Sequence, residues 1–342
     1  MRKTRKGSCN FKNYTAKSLS RKVTLPKSFD LYDLKYKSPK KKDLAVGLVY
    51  FNSAKSKRLL MNYLYTAEKF KIANIPVFTI EMYEDSPEIK DAIHIKTDFI
   101  LFQKERLCHI LEKHIPDTYT KMLFIDCDLV FDNVNWYNEL SEKLDDFNIV
   151  QPFTKGLWLD ITYKRIVKER MSMAFYQKFG LNKNAGNDGG YHPGFAWAFQ
   201  RSWFRKVGFF QKAILGEGDI LSSTIWLGKE YEVKEYYKNS VQEFRDSIKE
   251  PPSICYLAGF IYHLWHGDNK NRQYKTLKNI FNSIKDINDI IKIDRNGLYK
   301  IIDESLKPKI NKYFMKRDDD GLEVISPATT AIPSSGKVKT IP

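Results

Sequence analysis

The stretch KMLFIDCDLVFDN, residues 121–133, decides how this chain is read. Four apolar residues, Met122 to Ile125, lead into Asp126-Cys127-Asp128, and Leu129-Val130-Phe131 follow at once. A continuous apolar run of this length reads as a buried strand, and the two acids read as groups it delivers to a cleft at its end. Residues i and i+2 of a strand lie about 7 Å apart on one side. Asp126 and Asp128 are therefore expected to face one site while Cys127 turns inward. A pair of oxygen donors suits a hard cation such as Mg²⁺ or Mn²⁺, an ion that commonly holds substrate phosphates as well. The same letters also fit a solvated turn, and Asp132 is read as a turn residue of that kind.

Outward from this stretch the pattern alternates. LAVGLVYF (44–51) is an apolar strand ending at Asn52, and the next segment carries Leu59, Leu60, Tyr63, Leu64, Ala67 and Phe70 on one helical face, with Ser53 or Ser56 as cap. IPVFTIEM (75–82) is a second strand, KERLCHILEK (104–113) a helix, and KMLFID a third strand. Strand, helix and strand in repetition imply a parallel sheet with helices on its faces, and such sheets bind ligands at the carboxyl ends of their strands. Asn52 and Asp126 stand at two such ends. Farther on, a short helix is expected near Trp136–Leu144 and a strand in FNIVQPF (147–153). A longer helix is expected over 161–179, then a Gly/Asn-rich, substrate-facing loop over 180–194. FAWAFQ is read as a strand, RSWFRKVG as a short helix, a helix is expected from about Asp219, and ICYLAGFIYHLW (254–265) is read as a single strand.

The 342 residues carry a formal charge of +16, with 42% hydrophobic content, ample for a sizeable core. Residues 1–43 hold 14 Lys/Arg against 3 Asp, so the arm supplies +11 of that charge. It is expected to be a flexible basic arm able to touch an anionic surface or nucleic acid. No apolar run reaches the ~18 residues of a membrane span, and the arm lacks a signal-peptide core. The four cysteines are far apart in sequence and suggest neither a zinc cluster nor a disulfide framework. These features lead to an expectation of a cytoplasmic location. The expected organisation is the arm (1–43), one catalytic domain (44–275), a helical extension (276–318) and a disordered tail (319–342).

Two further clusters carry chemistry. In YHLWHGDNKNRQY (262–274), His263 and His266 close an apolar run beside Gly267 and a basic group that includes Lys270. One imidazole can complete a metal shell begun by the acids, while the cations meet a diphosphate. In LGEGD (215–219) a bent backbone exposes Asp219 at the start of a helix, placed to deprotonate a hydroxyl or simply to cap the helix.

Taken in order, FQKERL, MLFIDCDLVFDN, PGFAWAFQRSWFRKVGFF, LGEGD and HLWHGDNKNRQY resemble the metal-dependent nucleotide-sugar glycosyltransferases of the GT-A fold. The style is nearest to family-2-type enzymes and to the β-1,4-galactosyltransferase and polypeptide N-acetylgalactosaminyltransferase groups, over about residues 44–275. The resemblance implies a Rossmann-like α/β domain with a mixed, mostly parallel sheet flanked by helices. It also implies a Mn²⁺ or Mg²⁺ ion held by Asp128 and His266, with Asp126 and His263 as further metal positions. The implied donor is a nucleotide sugar, with UDP the expected nucleotide, bound near Phe51, Asn52, Lys104, Asp126, Gly194 and Lys270. The acceptor is a hydroxyl on a glycan or protein, and the catalytic base is Asp219 or Glu217. Lys104 stands where the family has an arginine, which keeps the cation but loses the two-pronged fork. Stacking of sugars on Trp158, Tyr191 or Trp197 is a further expectation, with a core role the alternative for Trp197. Two rivals remain open on the residues alone: a haloacid-dehalogenase-like phosphatase with Asp126 as nucleophile, and a nucleic-acid-binding protein acting through its arm.

Overall fold

The computed structural model describes residues 23–179, 190–267, 280–281 and 283–321. The first half builds as a repeat of strand and helix: β1 (Leu44–Tyr50), α1 (Lys57–Ile72), β2 (Val77–Tyr83), β3 (Ile93–Lys96), α2 (Lys104–His114) and β4 (Lys121–Ile125). Later come β6 (Ile149–Gln151), β10 (Ala196–Gln200) and β11 (Ile254–Tyr256), which complete a seven-stranded sheet of order β11-β6-β10-β4-β1-β2-β3. All its pairings are parallel except the two made by β10. This is the mixed, mostly parallel α/β sheet expected from the sequence.

Strands covered on both faces read as unbroken apolar runs, and the alternation reappears in three dimensions. Ala45, Met122, Phe124, Trp197 and Phe199 enter one hydrophobic cluster with α2. Their neighbours Val46, Leu123, Ile125, Ala196 and Ala198 enter the other, with Phe70 of α1. Ser56 caps α1 by accepting from Leu59 N–H at 3.0 Å.

A second sheet, of order β5-β12-β7-β8-β9, lies beside the first. It comprises β5 (Leu129–Phe131), β7 (Lys155–Leu159), β8 (Ile166–Ser172), β9 (Tyr191–His192) and β12 (Phe260–His263). The decisive stretch is thus two strands and not one. β4 closes in the first sheet at Ile125, β5 opens in the second at Leu129, and Asp126-Cys127-Asp128 forms the turn between them.

Several expectations need correction. Residues 161–179 are not one helix: they form β8 and then the short helix α4 (Met173–Phe179) after α3 (Trp136–Lys143). Lys, Glu and Arg favour helix in isolation, but pairing of β8 with β7, in the register Trp158 opposite Lys168, overrides that preference. ICYLAGFIYHLW is broken at Leu257–Gly259, where Gly259 takes φ +130°, so its halves serve different sheets. After α5 (Arg201–Lys206), α6 (Gly218–Trp226) and α7 (Lys238–Ser247), the expected helical extension is a hairpin of β13 (Ile291–Ile293) and β14 (Tyr299–Ile301) before α8 (Lys307–Lys316).

The arm is not free throughout. Leu31 and Tyr36 are buried, and the Tyr36 hydroxyl accepts from Phe131 N–H at 2.8 Å. Residues 1–22 and 322–342 lie outside the described residues. Of the expected disordered tail, Asp319 is buried against the body. Asp132 is no solvated turn residue: it accepts from Phe260 N–H at 2.6 Å, and burial raises its pKa to about 6. Cys108 and Cys127 are free and buried.

Candidate active site

Antiparallel pairing of β5 with β12 sets Leu129 opposite His263, and Leu264 N–H donates to the Asp128 carbonyl at 2.8 Å. That register carries both histidines to the D-x-D turn. His266 Nε2 lies 2.7 Å and His263 Nε2 3.4 Å from Asp128 Oδ2. The two imidazole centroids are 5.0 Å apart, and all three residues are buried. Phe195 stacks on His263 at 5.2 Å and fixes its plane. Asp128 Oδ1 is buried with no hydrogen-bond partner. One carboxylate and two imidazoles, with ligand atoms within 4.8 Å of one another and one carboxylate oxygen left over, form a donor set that fits a divalent cation.

Asp126 stands outside that trio. Its Oδ1 accepts from Lys104 Nζ at 3.0 Å, and its N–H donates to the Phe195 carbonyl at 2.9 Å. Burial raises the Asp126 pKa; Lys104 opposes the rise and Asp128 adds to it. For Lys104 burial acts downward, but Asp126, Glu105 and Asp219 outweigh it and hold the ammonium well above its ordinary range. Lys104 opens α2, and its neighbour Glu105 keeps a buried, unpartnered Oε2 close against Gly218. Burial pushes Glu105 up to about 7.

Asp219 sits in the first turn of α6 and accepts from Ile220 N–H through Oδ1 at 2.8 Å. A Cβ at Gly194 would overlap Asp219 Oδ2, so glycine is what lets β10's approach bring that carboxylate beside Lys104 and Asp126. Burial raises the Asp219 pKa, with Lys104 opposing. Glu217, the rival base, has φ +74° and gives its carboxylate to Lys234 Nζ at 2.9 Å. Burial, then the cations Lys104, Lys168 and Arg170, lower the His192 pKa to about 3, so this imidazole is neutral.

Asp128, both histidines, Asp126, Lys104 and Asp219 all line one cavity of about 630 Å³. Phe51 and Asn52 reach the same cavity from the end of β1. Phe51 meets Phe102 edge to face at 5.0 Å. The Asn52 side chain is engaged within the fold: Nδ2 donates to Ser56 O at 3.0 Å and to Glu88 Oε2 at 3.0 Å, and Oδ1 accepts from Ser56 N–H at 2.8 Å. Trp158 and Tyr191 line the cavity, with Lys168 Nζ 5.0 Å from the Trp158 ring centre. Trp197 is core, and its Nε1–H donates to Pro193 O at 2.6 Å, which steadies the Pro193-Gly194 approach. Lys270 lies outside the described residues.

Glu105, Lys168, Arg170, Arg317 and Asp319 also line the cavity, beyond the residues expected from the sequence. Lys168 and Arg170 were hidden inside the presumed helix. Arg317 and Asp319 stood in a segment with no motif.

No protein-family model matches the sequence, and no curated protein matches it. Among solved structures, the chain is similar to the Drosophila β-1,4-galactosyltransferase 7 in complex with manganese, UDP-Gal and xylobiose, at 14% identity over 56% of this chain and 66% of that one, with TM-score 0.32. It is also similar to the Mycobacterium tuberculosis glucosyl-3-phosphoglycerate synthase, at 10% identity over 72% of this chain and 82% of that one, with TM-score 0.36. Mouse xyloside xylosyltransferase 1 gives 12% identity over 65% and 97%, with TM-score 0.30. The chain spans 66% of the length of the Drosophila structure.

Proposed function

We propose that this chain is a divalent-metal-dependent glycosyltransferase that moves a sugar from a nucleoside-diphosphate donor, with UDP the preferred nucleotide, to an acceptor hydroxyl. One observation carries the reading: the buried Asp128-His263-His266 trio opens on the same cavity as the Lys104–Asp126 pair and the carboxylate Asp219. A cation site, a fixed ammonium and a separate buried carboxylate are what leaving-group departure and hydroxyl activation require.

Asp128, His263 and His266 would hold the ion, Mn²⁺ or Mg²⁺, which when bound would neutralise charge on the departing diphosphate. Lys104, kept charged by Asp126, adds a fixed positive charge beside the same phosphates. Phe51 offers an apolar face to the nucleoside, while Gly194 acts on the donor side through the close approach it allows to Asp219. Asp219 accepts the acceptor's proton as its oxygen forms the new bond to the anomeric carbon. The bond from that carbon to the diphosphate breaks, and its electron pair leaves with the nucleotide. Attack from the face opposite the leaving group inverts the carbon. With Glu217 held by Lys234, Asp219 is the better base.

Trp158 and Tyr191, on the cavity wall, are suited to stack on the acceptor's rings. No helix among the described residues is long and apolar enough to cross a membrane. The test is hydrolysis of a panel of nucleotide sugars with and without Mn²⁺. UDP-sugar turnover that requires the metal supports the reading, and metal-independent release of phosphate from simple phosphomonoesters contradicts it.

A further inference from the structure

α8 ends at Lys316, and residues 317–320 turn back against the metal end of the cavity. Two contacts fix that turn. Asp320 accepts from Ser56 Oγ at 2.6 Å and from the N–H groups of Lys57 and Arg58, both at 2.9 Å. Its carboxylate thereby satisfies donors that the first turn of α1 leaves unpaired, and meets the positive end of the helix dipole. On the other side Gly267, at φ +83°, passes so close that a Cβ would stand 2.9 Å from Asp318 O and from the Asp319 carbonyl carbon. Only glycine permits both that backbone angle and that approach.

Between these anchors Asp319 is 4% exposed. Its Oδ2 accepts from Arg317 Nε at 2.6 Å, and its Oδ1 stands 3.9 Å from His266 Nδ1. The other ring nitrogen, Nε2, is the one turned to Asp128 at 2.7 Å. An imidazole that offers Nε2 to a cation must carry its proton on Nδ1, and a carboxylate that closes the 3.9 Å gap to Nδ1 would favour that tautomer and hold the ring plane. Arg317 offsets the cost of burying that carboxylate and is hydrogen-bonded to the Tyr313 hydroxyl at 3.4 Å.

We infer that Asp319 is the positioning carboxylate of His266, delivered from the far end of the chain by the 317–320 turn. It acts through His266. The inference rests on the metal-dependent reading above.

The test is Mn²⁺ binding to the full-length chain without donor, followed by electron paramagnetic resonance, for wild type and Asp319→Asn, with thermal melts alongside. Asp319→Asn is expected to weaken Mn²⁺ binding about 10- to 100-fold, the range found when a carboxylate behind a metal-bound histidine is removed. Saturating Mn²⁺ should restore most of the UDP-sugar turnover. Wild-type affinity for Mn²⁺ in a folded Asp319→Asn variant overturns the inference. A wild-type chain that binds no Mn²⁺ overturns instead the metal reading on which it rests. A readout without any substitution at 319 covers a variant that does not fold: ¹⁵N-histidine spectra of the Mg²⁺-loaded wild type, with His266 assigned through His266→Gln. A His266 Nδ1–H that is shifted downfield and protected from exchange, as a proton donated to a carboxylate is, supports the role, and an Nδ1–H that exchanges freely with solvent contradicts it.

Discussion

His266 Nε2 stands 2.7 Å from Asp128 Oδ2, although the two residues belong to distant parts of the chain and to no common motif. The contact follows from sheet pairing: β5 leaves the D-x-D turn and β12 runs antiparallel to it, so the residues just beyond β12 arrive beside Asp128. A site built by strand register is rigid, which is what a preorganised metal position needs.

Asp219→Asn keeps the shape and the acceptor atom for Ile220 N–H but removes the proposed base. Transfer should fall roughly 100- to 10,000-fold in kcat with little change in donor KM. Glu217→Gln loses only the ion pair with Lys234, and its activity should stay within about threefold of wild type. Steady-state kinetics of both variants decide the base; the reverse ranking would assign it to Glu217.

Asn52→Ala should act on stability more than on donor binding, because the side chain ties Ser56 and Glu88 to the end of β1. Losing several buried hydrogen bonds costs about 2 kcal/mol or more in denaturant unfolding. Donor KM should move less than about threefold, and a large KM change at unchanged stability would restore Asn52 to direct donor contact.

The folded state should weaken on mild acidification through His109. Burial lowers its pKa to about 4, and Phe209 N–H donates to its Nε2 at 3.0 Å, a bond that requires the neutral ring. The unfolded chain binds the proton first, so stability is whole above about pH 6.5 and is lost as pH falls toward 4. Denaturant melts at pH 7 and pH 4.5 should differ by on the order of 2 kcal/mol from this group, and the His109→Gln variant should show a smaller difference.

Asp132 works in the opposite sense. Its folded pKa is raised to about 6, so its charged form carries a burial penalty that is absent below about pH 4 and complete above pH 6. Asp132→Asn retains an acceptor for Phe260 N–H and should melt higher than wild type at pH 8 and equally at pH 4. A lower melting temperature at pH 8 would contradict this account.

β1, α1, β2, α2 and β4 were legible because buried parallel strands and one-faced helices write their periods directly into the sequence, whereas the edge strand β3, IHIK at 93–96, is too short and polar to show one. β8 was not legible: Lys168, Arg170 and Glu169 look helical alone, and only pairing with β7 makes them a strand. The break at Gly259 was hidden in a continuous apolar run, so the two-sheet architecture around the D-x-D turn went unseen. Within the site, Asp128, His263, His266 and Asp219 stood out as acids and imidazoles at element ends. Glu105 and Asp319 did not, because what singles them out is burial beside a partner distant in sequence, which no local pattern encodes.

UDP-sugar hydrolysis with Mn²⁺, measured for wild type, Asp128→Ala and His266→Ala, decides whether the Asp128-His263-His266 trio works through a metal ion. Wild type should turn over only with the metal, and each variant should lose at least about 100-fold, with Mn²⁺ binding weakened in both. Undiminished activity in both variants would contradict that role for the trio.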